Sequence, residues 1–162
     1  MAKYNPKNER IKTDYFEWQK EANQKSDATI DNIRKAIDRF EEYTKYKDFK
    51  YFNREQAKGF KKKLSETSNT RSKEKLSKST VFGNLRHLKD FFKWLAYKQG
   101  YKRIELAQIE YFNLSEKEER IAKAGRVKRV PTLEQIRSVI NSMPYDNEID
   151  LRNRFHYHKA WN

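Results

Sequence analysis

The sequence predicts an all-α fold, because of the spacing of its apolar residues and because of its composition. Apolar residues recur at steps of three and four in several segments, which is the spacing of one helix face. Only four glycines and three prolines occur in 162 residues, which leaves room for long helices. The formal net charge of +14 favours disorder, but ten phenylalanines, ten tyrosines and three tryptophans can supply a core. We therefore expect a folded, helical chain.

Two helices are predicted in the first third of the chain. Segment 7–22 places four residues on one stripe: Ile11, Tyr15, Trp18 and Ala22. A second helix is expected from a cap at Ser26 or Asp27 to about Tyr46. Its apolar stripe contains Ile30, Ile33, Ile37 and Phe40. Its opposite face contains Asp31, Lys35, Asp38 and Glu42.

The middle of the chain predicts two further helices. The aromatic residues of connector 47–52 are expected to close the edge of the core. Asn53 is a good N-cap for a third helix, whose inward residues are Ala57, Phe60 and Leu64. Residues 67–79, rich in Ser, Lys and Arg, are predicted as a loop. A fourth helix is expected over 79–99, with Gly100 just past its end. Its buried stripe contains Val81, Leu85, Leu88, Phe92 and Leu95.

The last third is predicted to contain a linker between two domains. Ile104, Ala107 and Ile109 indicate a short helix that returns to the core, and Ser115 can start another. Residues 120–130 carry five cations and no acid. We therefore predict a domain over 1–115, a basic linker over 116–130 and a second unit over 131–162. A capping box at 132–135 precedes one last helix. The apolar stripe of that helix contains Ile136, Val139 and Ile140.

The sequence holds no set of residues typical of an enzyme active site. It has no cysteine, no Gly-rich phosphate loop and no recognisable Ser–His–Asp set. His156 and His158 could bind a metal, but two histidines in a polar tail are more often solvated. We therefore expect no metal, no cofactor and no catalysis. The N-terminus lacks the apolar core of a signal peptide, and no segment is apolar over the ~18 residues of a membrane span. These features predict a cytosolic protein without a membrane partner.

Basic residues cluster between residues 58 and 89, which contain ten Lys or Arg side chains and two acids. Such clustering favours a polyanionic partner, because each phosphate contact releases counterions. A lysine-rich solvated surface is the alternative. In the fourth predicted helix, Thr80, Asn84 and His87 fall on one stripe beside the buried face. Asn and His can read base edges from a helix in the major groove, although capping and solvation explain this stripe equally well.

Three groups of residues, in this order and spacing, resemble a known family. One helix opens with Ala-Thr-Ile at 28–30 and ends with Phe-Glu-Glu-Tyr at 40–43. Another opens with Ser-Thr-Val at 79–81 and ends with Leu-Lys-Asp-Phe-Phe-Lys-Trp-Leu at 88–95. The basic linker is followed by Val-Pro-Thr-Leu-Glu-Gln-Ile at 130–136. Over residues 8–154 the chain resembles the N-terminal core-binding domain of tyrosine recombinases, the phage integrase family, continued into the first helices of the catalytic domain.

The resemblance implies a four-helix, SAM-like core-binding domain that clamps one face of duplex DNA. The helices that match residues 29–40 and 80–95 would face the duplex. We expect DNA contacts from these helices and from the cations of the loop and linker: Thr29, Asn32, Lys62, Arg71, Lys73, Lys75, Lys78, Thr80, Asn84, His87, Arg126, Lys128 and Arg129. The expected partner is double-stranded DNA, and the free protein is expected to be a monomer.

The family's catalytic groups, a tyrosine nucleophile aided by Arg, Lys and His, lie beyond the position that Arg154 matches. Residues 155–162 also depart from the family pattern, which has an apolar helix there. The sequence therefore predicts a truncated catalytic domain without its nucleophile. The expected function is DNA binding in integration and recombination, by the core-binding part of a site-specific recombinase.

Two other functions stay open at the level of sequence. A helical RNA-binding or architectural protein unrelated to recombinases would carry a similar charge, and its preference between A-form RNA and B-form DNA would distinguish it. A protein-interaction module could dock a partner on the apolar stripe of the last helix. Such a module would not bind nucleic acid at physiological salt.

Overall fold

The computed structural model describes residues 4–68, 74–124, 131–144 and 146–152. Four long helices are present: α1 (Pro6–Glu21), α2 (Asp27–Tyr43), α3 (Arg54–Glu66) and α4 (Lys78–Ala96). Three shorter helices follow: α5 (Leu106–Ile109), α6 (Glu116–Lys123) and α7 (Leu133–Ser142). Two 3₁₀ turns occur at Phe49–Tyr51 and Glu110–Phe112. The described residues form no strand, and the predicted all-α, four-helix class is confirmed.

The chain divides into two compact units, Met1–Ala124 and Gly125–Asn162. The segment predicted as a linker over 116–130 begins instead with α6, which packs against α4 within the first unit. Ser115 caps this helix, and acidic residues in its first turn interact favourably with the helix dipole. The short helix predicted to start at Ser115 is therefore confirmed, although only its Ala122 is buried. Residues 125–130 lie outside the described part of the chain.

Polar side chains define where the long helices start. Asn5, Ser26, Asn53 and Ser77 each accept a hydrogen bond from a backbone N–H of the first turn. The predicted Asn53 cap is therefore confirmed, and so is the capping box at the start of α7. Two helices end three residues earlier than predicted. After α2 the backbone turns left-handed at Lys45 and Tyr46, and after α4 it turns through Gly100, with φ values of 55°, 57° and 89°.

The core of the first unit is an aromatic cluster around Phe92 of α4. Its ring stacks on Phe52 at 4.1 Å between centroids and meets the edge of Phe40 at 5.2 Å. Phe49 and Phe112 lie 5.9 Å from it. The predicted role of the connector aromatics is thus confirmed for Phe49 and Phe52. Because these rings come from α2, both 3₁₀ turns and α4, one cluster fixes the packing of α2 against α4.

A buried ionic network joins α1 to α2. The Lys12 ammonium lies 2.6 Å from Glu41, 2.7 Å from Glu9 and 3.1 Å from Asp38. Burial alone would lower the pKa of Lys12, but hydrogen bonds to these carboxylates raise it above its ordinary value. Asn8 donates to Glu41 and to the carbonyl of Lys47, which ties the network to the end of α2. The network therefore fixes α1 on one side of α2.

The aromatic cluster predicts a large effect of one substitution. Phe92→Ala should lower the free energy of unfolding by about 3–5 kcal/mol, because it removes a ring that contacts five others and leaves a cavity. Tyr97→Ala is the control, since Tyr97 is 77% exposed, and it should change stability by less than about 0.5 kcal/mol. Urea unfolding followed by circular dichroism gives both values. Equal losses in the two variants would contradict the assignment of Phe92 to the centre of the core.

Candidate nucleic-acid interface

The two sides of α2 differ in whether their charged residues form ion pairs. On one side, Asp38 and Glu41 pair with Lys12, and Arg34 lies 4.5 Å from the ring centroid of Phe16. The other side carries three exposed polar residues at helical spacing: Asn32, Lys35 and Arg39. Among the described residues no carboxylate lies within ion-pair distance of the two cations of this set. Lys35 and Arg39 are therefore free of ion pairs in this part of the chain, although the acids Asp31 and Glu42 are also exposed near Lys35 on α2.

A hydrogen bond connects this side of α2 to α4. The Arg39 Nη1 donates to Asn84 Oδ1 at 2.7 Å, and Asn84 Nδ2 donates to the carbonyl of Thr80 at 2.7 Å. Asn84 is only 9% exposed, so both polar atoms of its side chain are used inside the fold. The bond holds the Arg39 guanidinium against the first half of α4. It leaves the other guanidinium donors available to a ligand.

This contact brings two helix stripes side by side. Thr80, Gly83 and His87 follow one another on α4 at steps of three and four, and none of the three is buried. On α2 the neighbouring stripe contains the residues 32, 35 and 39. We call the combined surface the α2–α4 face, and it is formed by Asn32, Lys35, Arg39, Thr80, Gly83 and His87.

The opposite flank of α4 is neutralised by acids from the segments that follow it. Lys78 lies 2.5 Å from Glu118 of α6, and Lys89 and Lys93 lie 2.6 and 3.1 Å from Glu110. The hydrogen bond from Lys89 lowers the pKa of Glu110 to about 2, so this carboxylate stays ionised near neutral pH. Lys78 was predicted as a contact residue, and in the free protein its ammonium is paired. On this flank two carboxylates thus pair with three lysines of α4.

His87 combines partial burial with access to solvent. Burial lowers its pKa below 6.5, the negative charge of Asp90 opposes that effect, and Arg86 adds to it. The imidazole is therefore neutral at pH 7, with one nitrogen that donates and one that accepts. A neutral imidazole on an exposed stripe can bond to a base edge or, once protonated, pair with a phosphate.

Matching hydroxyl pairs lie in the first turns of α2 and α4. Thr29 is 3.0 Å from the hydroxyl of Ser26, and Thr80 is 2.8 Å from that of Ser77. Each serine also caps its helix. Both threonines were predicted contacts, and both retain part of their side-chain surface. These two first turns therefore have the same local structure.

The predicted contact residues are only partly brought together. Asn32, Thr80 and His87 belong to the α2–α4 face, while Asn84 lies beneath it. Lys62 is exposed on α3, and Lys75 is exposed where it pairs with Ser68 across the loop before α4. Five predicted contacts lie outside the described residues: Arg71, Lys73, Arg126, Lys128 and Arg129.

Sequence reasoning missed two cations of the α2–α4 face and the glycine between its polar residues. Lys35 and Arg39 follow Asn32 by three and seven residues, and this spacing could have placed them on the same stripe. Gly83 carried no signal in the sequence. Across the described residues, no helix has the length and apolar character to cross a membrane, and no three metal-binding side chains cluster.

One comparison with known proteins gives a match. The family model described as the Phage integrase SAM-like domain matches residues 13–113, well over half of the chain. The matched range begins within α1 and ends just after the second 3₁₀ turn, so it includes the whole α2–α4 face. Neither the curated proteins nor the solved structures gave a significant match.

Proposed function

Because this chain belongs to the phage integrase SAM-like domain family, we propose that it binds duplex DNA through the α2–α4 face, as the core-binding module of a site-specific recombinase. The observation that carries this proposal is the bond between Arg39 and Asn84. It joins the unpaired cations of α2 to the polar stripe of α4 in one surface. That surface lies opposite the flank where acids neutralise the lysines of α4.

Lys35 and Arg39 supply the phosphate contacts in this account. The guanidinium of Arg39 donates one hydrogen bond to Asn84, and its remaining N–H groups donate to phosphate oxygens. Because one end of the group is held, less side-chain freedom is lost on binding. Thr29 and Thr80 lie in the first turns of their helices, where hydroxyls and the helix dipole favour an anion. These groups position the duplex without reading its sequence.

Base reading falls to Asn32 in this account, while His87 lies near the phosphates of the strand. Asn84 was the sequence candidate for this role, but both polar atoms of its amide are bonded inside the fold. We assign it a positioning role, through Arg39. Asn32 is exposed on α2 and can reach a groove edge, whereas His87 retains access to solvent on α4.

Several further cations add affinity without sequence preference in this proposal. Lys62 and Lys75 are exposed in the first unit, and the remaining sequence candidates at 71, 73, 126, 128 and 129 lie outside the described residues. We propose that the chain binds as a monomer and contributes no catalytic step. A covalent protein–DNA adduct on a nicked duplex would contradict the second part.

Salt dependence tests the electrostatic basis of the proposed function. With roughly five phosphate contacts, the log–log slope of affinity against salt should be about −4 to −5 on duplex DNA. Lys35→Gln should reduce the magnitude of that slope by about 1, because it removes one phosphate contact. Lys7→Gln is the charge-matched control, since Lys7 is exposed on α1, and its slope should equal that of the wild type.

Fluorescence anisotropy with a labelled duplex measures these slopes, and an A-form RNA duplex of the same length serves as competitor. A flat salt response would contradict electrostatic binding. Equal effects of the two lysine substitutions would contradict the assignment to the α2–α4 face. Tighter binding to the RNA would favour the RNA-binding alternative.

The lowered pKa of His87 predicts how affinity responds to pH. Phosphates near the imidazole stabilise its charged form, so binding should raise the pKa of His87 and take up a proton. Affinity should therefore increase as the pH falls from 7.5 to 5.5, and His87→Gln should remove most of that increase. Anisotropy titrations at both pH values provide the comparison. An unchanged pH response in the variant would show that His87 does not face the phosphates.

A further inference from the structure

Gly83 lies in the interior of α4 without a structural reason for being glycine. A glycine in the interior of a helix is less favourable than alanine, because it has more freedom to lose on folding. Gly59 of α3 illustrates a reason, since a Cβ there would collide with the hydroxyl of Tyr43. In the part of the chain that the structure describes, and apart from the adjacent residues and the backbone of α4 itself, no heavy atom lies within 4 Å of the position of a Cβ on Gly83. Its φ is not positive either, so the backbone does not require glycine.

The position of Gly83 indicates which kind of ligand fits the space that a side chain would otherwise fill. It follows Thr80 by three residues and precedes His87 by four, so it lies between them on the exposed stripe of α4. Asn84, the next residue, holds the guanidinium of Arg39. Gly83 is therefore a shallow gap in the α2–α4 face, bordered by hydrogen-bonding groups and close to a cation.

We propose that the sugar–phosphate backbone of duplex DNA packs directly against α4 at Gly83, an inference that rests on the proposed function. The chemistry of the border favours a phosphodiester over an apolar partner, because a threonine hydroxyl and an imidazole lie about one helical turn before and after the gap. Glycine allows the closest approach between a helix and a ligand backbone. Thr80 and His87 then reach the strand on either side of the contact.

With this role, replacement of Gly83 by alanine should raise the stability of the protein and weaken its binding to DNA. An alanine methyl group at position 83 meets no atom beyond the adjacent residues and the backbone of α4 in the described part of the chain, and it removes the disadvantage of glycine in a helix. In the complex the same methyl group occupies space that belongs to the DNA strand. A glycine that serves the fold would instead lower both properties when it is replaced, and a glycine without any role would leave binding unchanged.

Thermal unfolding and DNA binding of Gly83→Ala and Gly83→Leu test this inference. Gly83→Ala should raise the melting temperature by about 2–4 °C and weaken duplex binding by about 10-fold. Gly83→Leu should weaken binding further, because its side chain is larger. Thr13→Leu is the control, since Thr13 is exposed on α1 and the change leaves the net charge unaltered. Its affinity should match that of the wild type.

Four outcomes would overturn the inference. Wild-type affinity in Gly83→Ala would show that no strand packs at this position, while the proposed function would stand. A lower melting temperature in Gly83→Ala would show that the glycine serves the fold. An equal loss of affinity in Thr13→Leu would show that added bulk anywhere weakens binding. Failure of the wild-type protein to bind the duplex would remove the proposed function and this inference together.

Discussion

The packing of α2 against α4 around the ring of Phe92 is the constraint on which the rest of the structure depends. Phe40 of α2, Phe52 of the connector and Phe112 of the second 3₁₀ turn all contact that ring. A rigid aromatic cluster allows little adjustment, so the two helices keep one relative position. The hydrogen bond from Arg39 to Asn84 is possible only at that position. The core thereby places the polar stripes of α2 and α4 in one surface.

Internal ion pairs make the distribution of positive charge over the surface uneven. Lys12 forms ion pairs with acids on one side of α2, while Glu110 and Glu118 form ion pairs with lysines on one flank of α4. A net charge of +14 describes only the whole molecule. These pairs leave Lys35 and Arg39, next to α4, without an ion-pair partner among the described residues. In the proposed function, the acids of the fold contribute to recognition through the cations that they do not pair with.

Helix spacing and caps were readable from the sequence because they depend on neighbouring residues. The stripe of α2, the Asn53 cap and the capping box of α7 are of this kind. Asn84 was not readable, because an amide at the edge of an apolar stripe can face solvent or a neighbouring helix. Its partner lies 45 residues away in the chain. The helix α6 was predicted from its cap at Ser115, but its packing against α4 was not, because its composition is that of a linker.

The central claim is that duplex DNA binds between α2 and α4, and chemical-shift mapping with a labelled protein and a short duplex tests it most directly. The amide resonances of Asn32, Lys35, Gly83 and His87 should shift progressively as DNA is added, and the side-chain resonances of Arg39 should shift with them. Residues of α6 should shift little, because α6 packs on the opposite flank of α4. Shifts concentrated on α6 or α7, with an unperturbed α2–α4 face, would contradict the account.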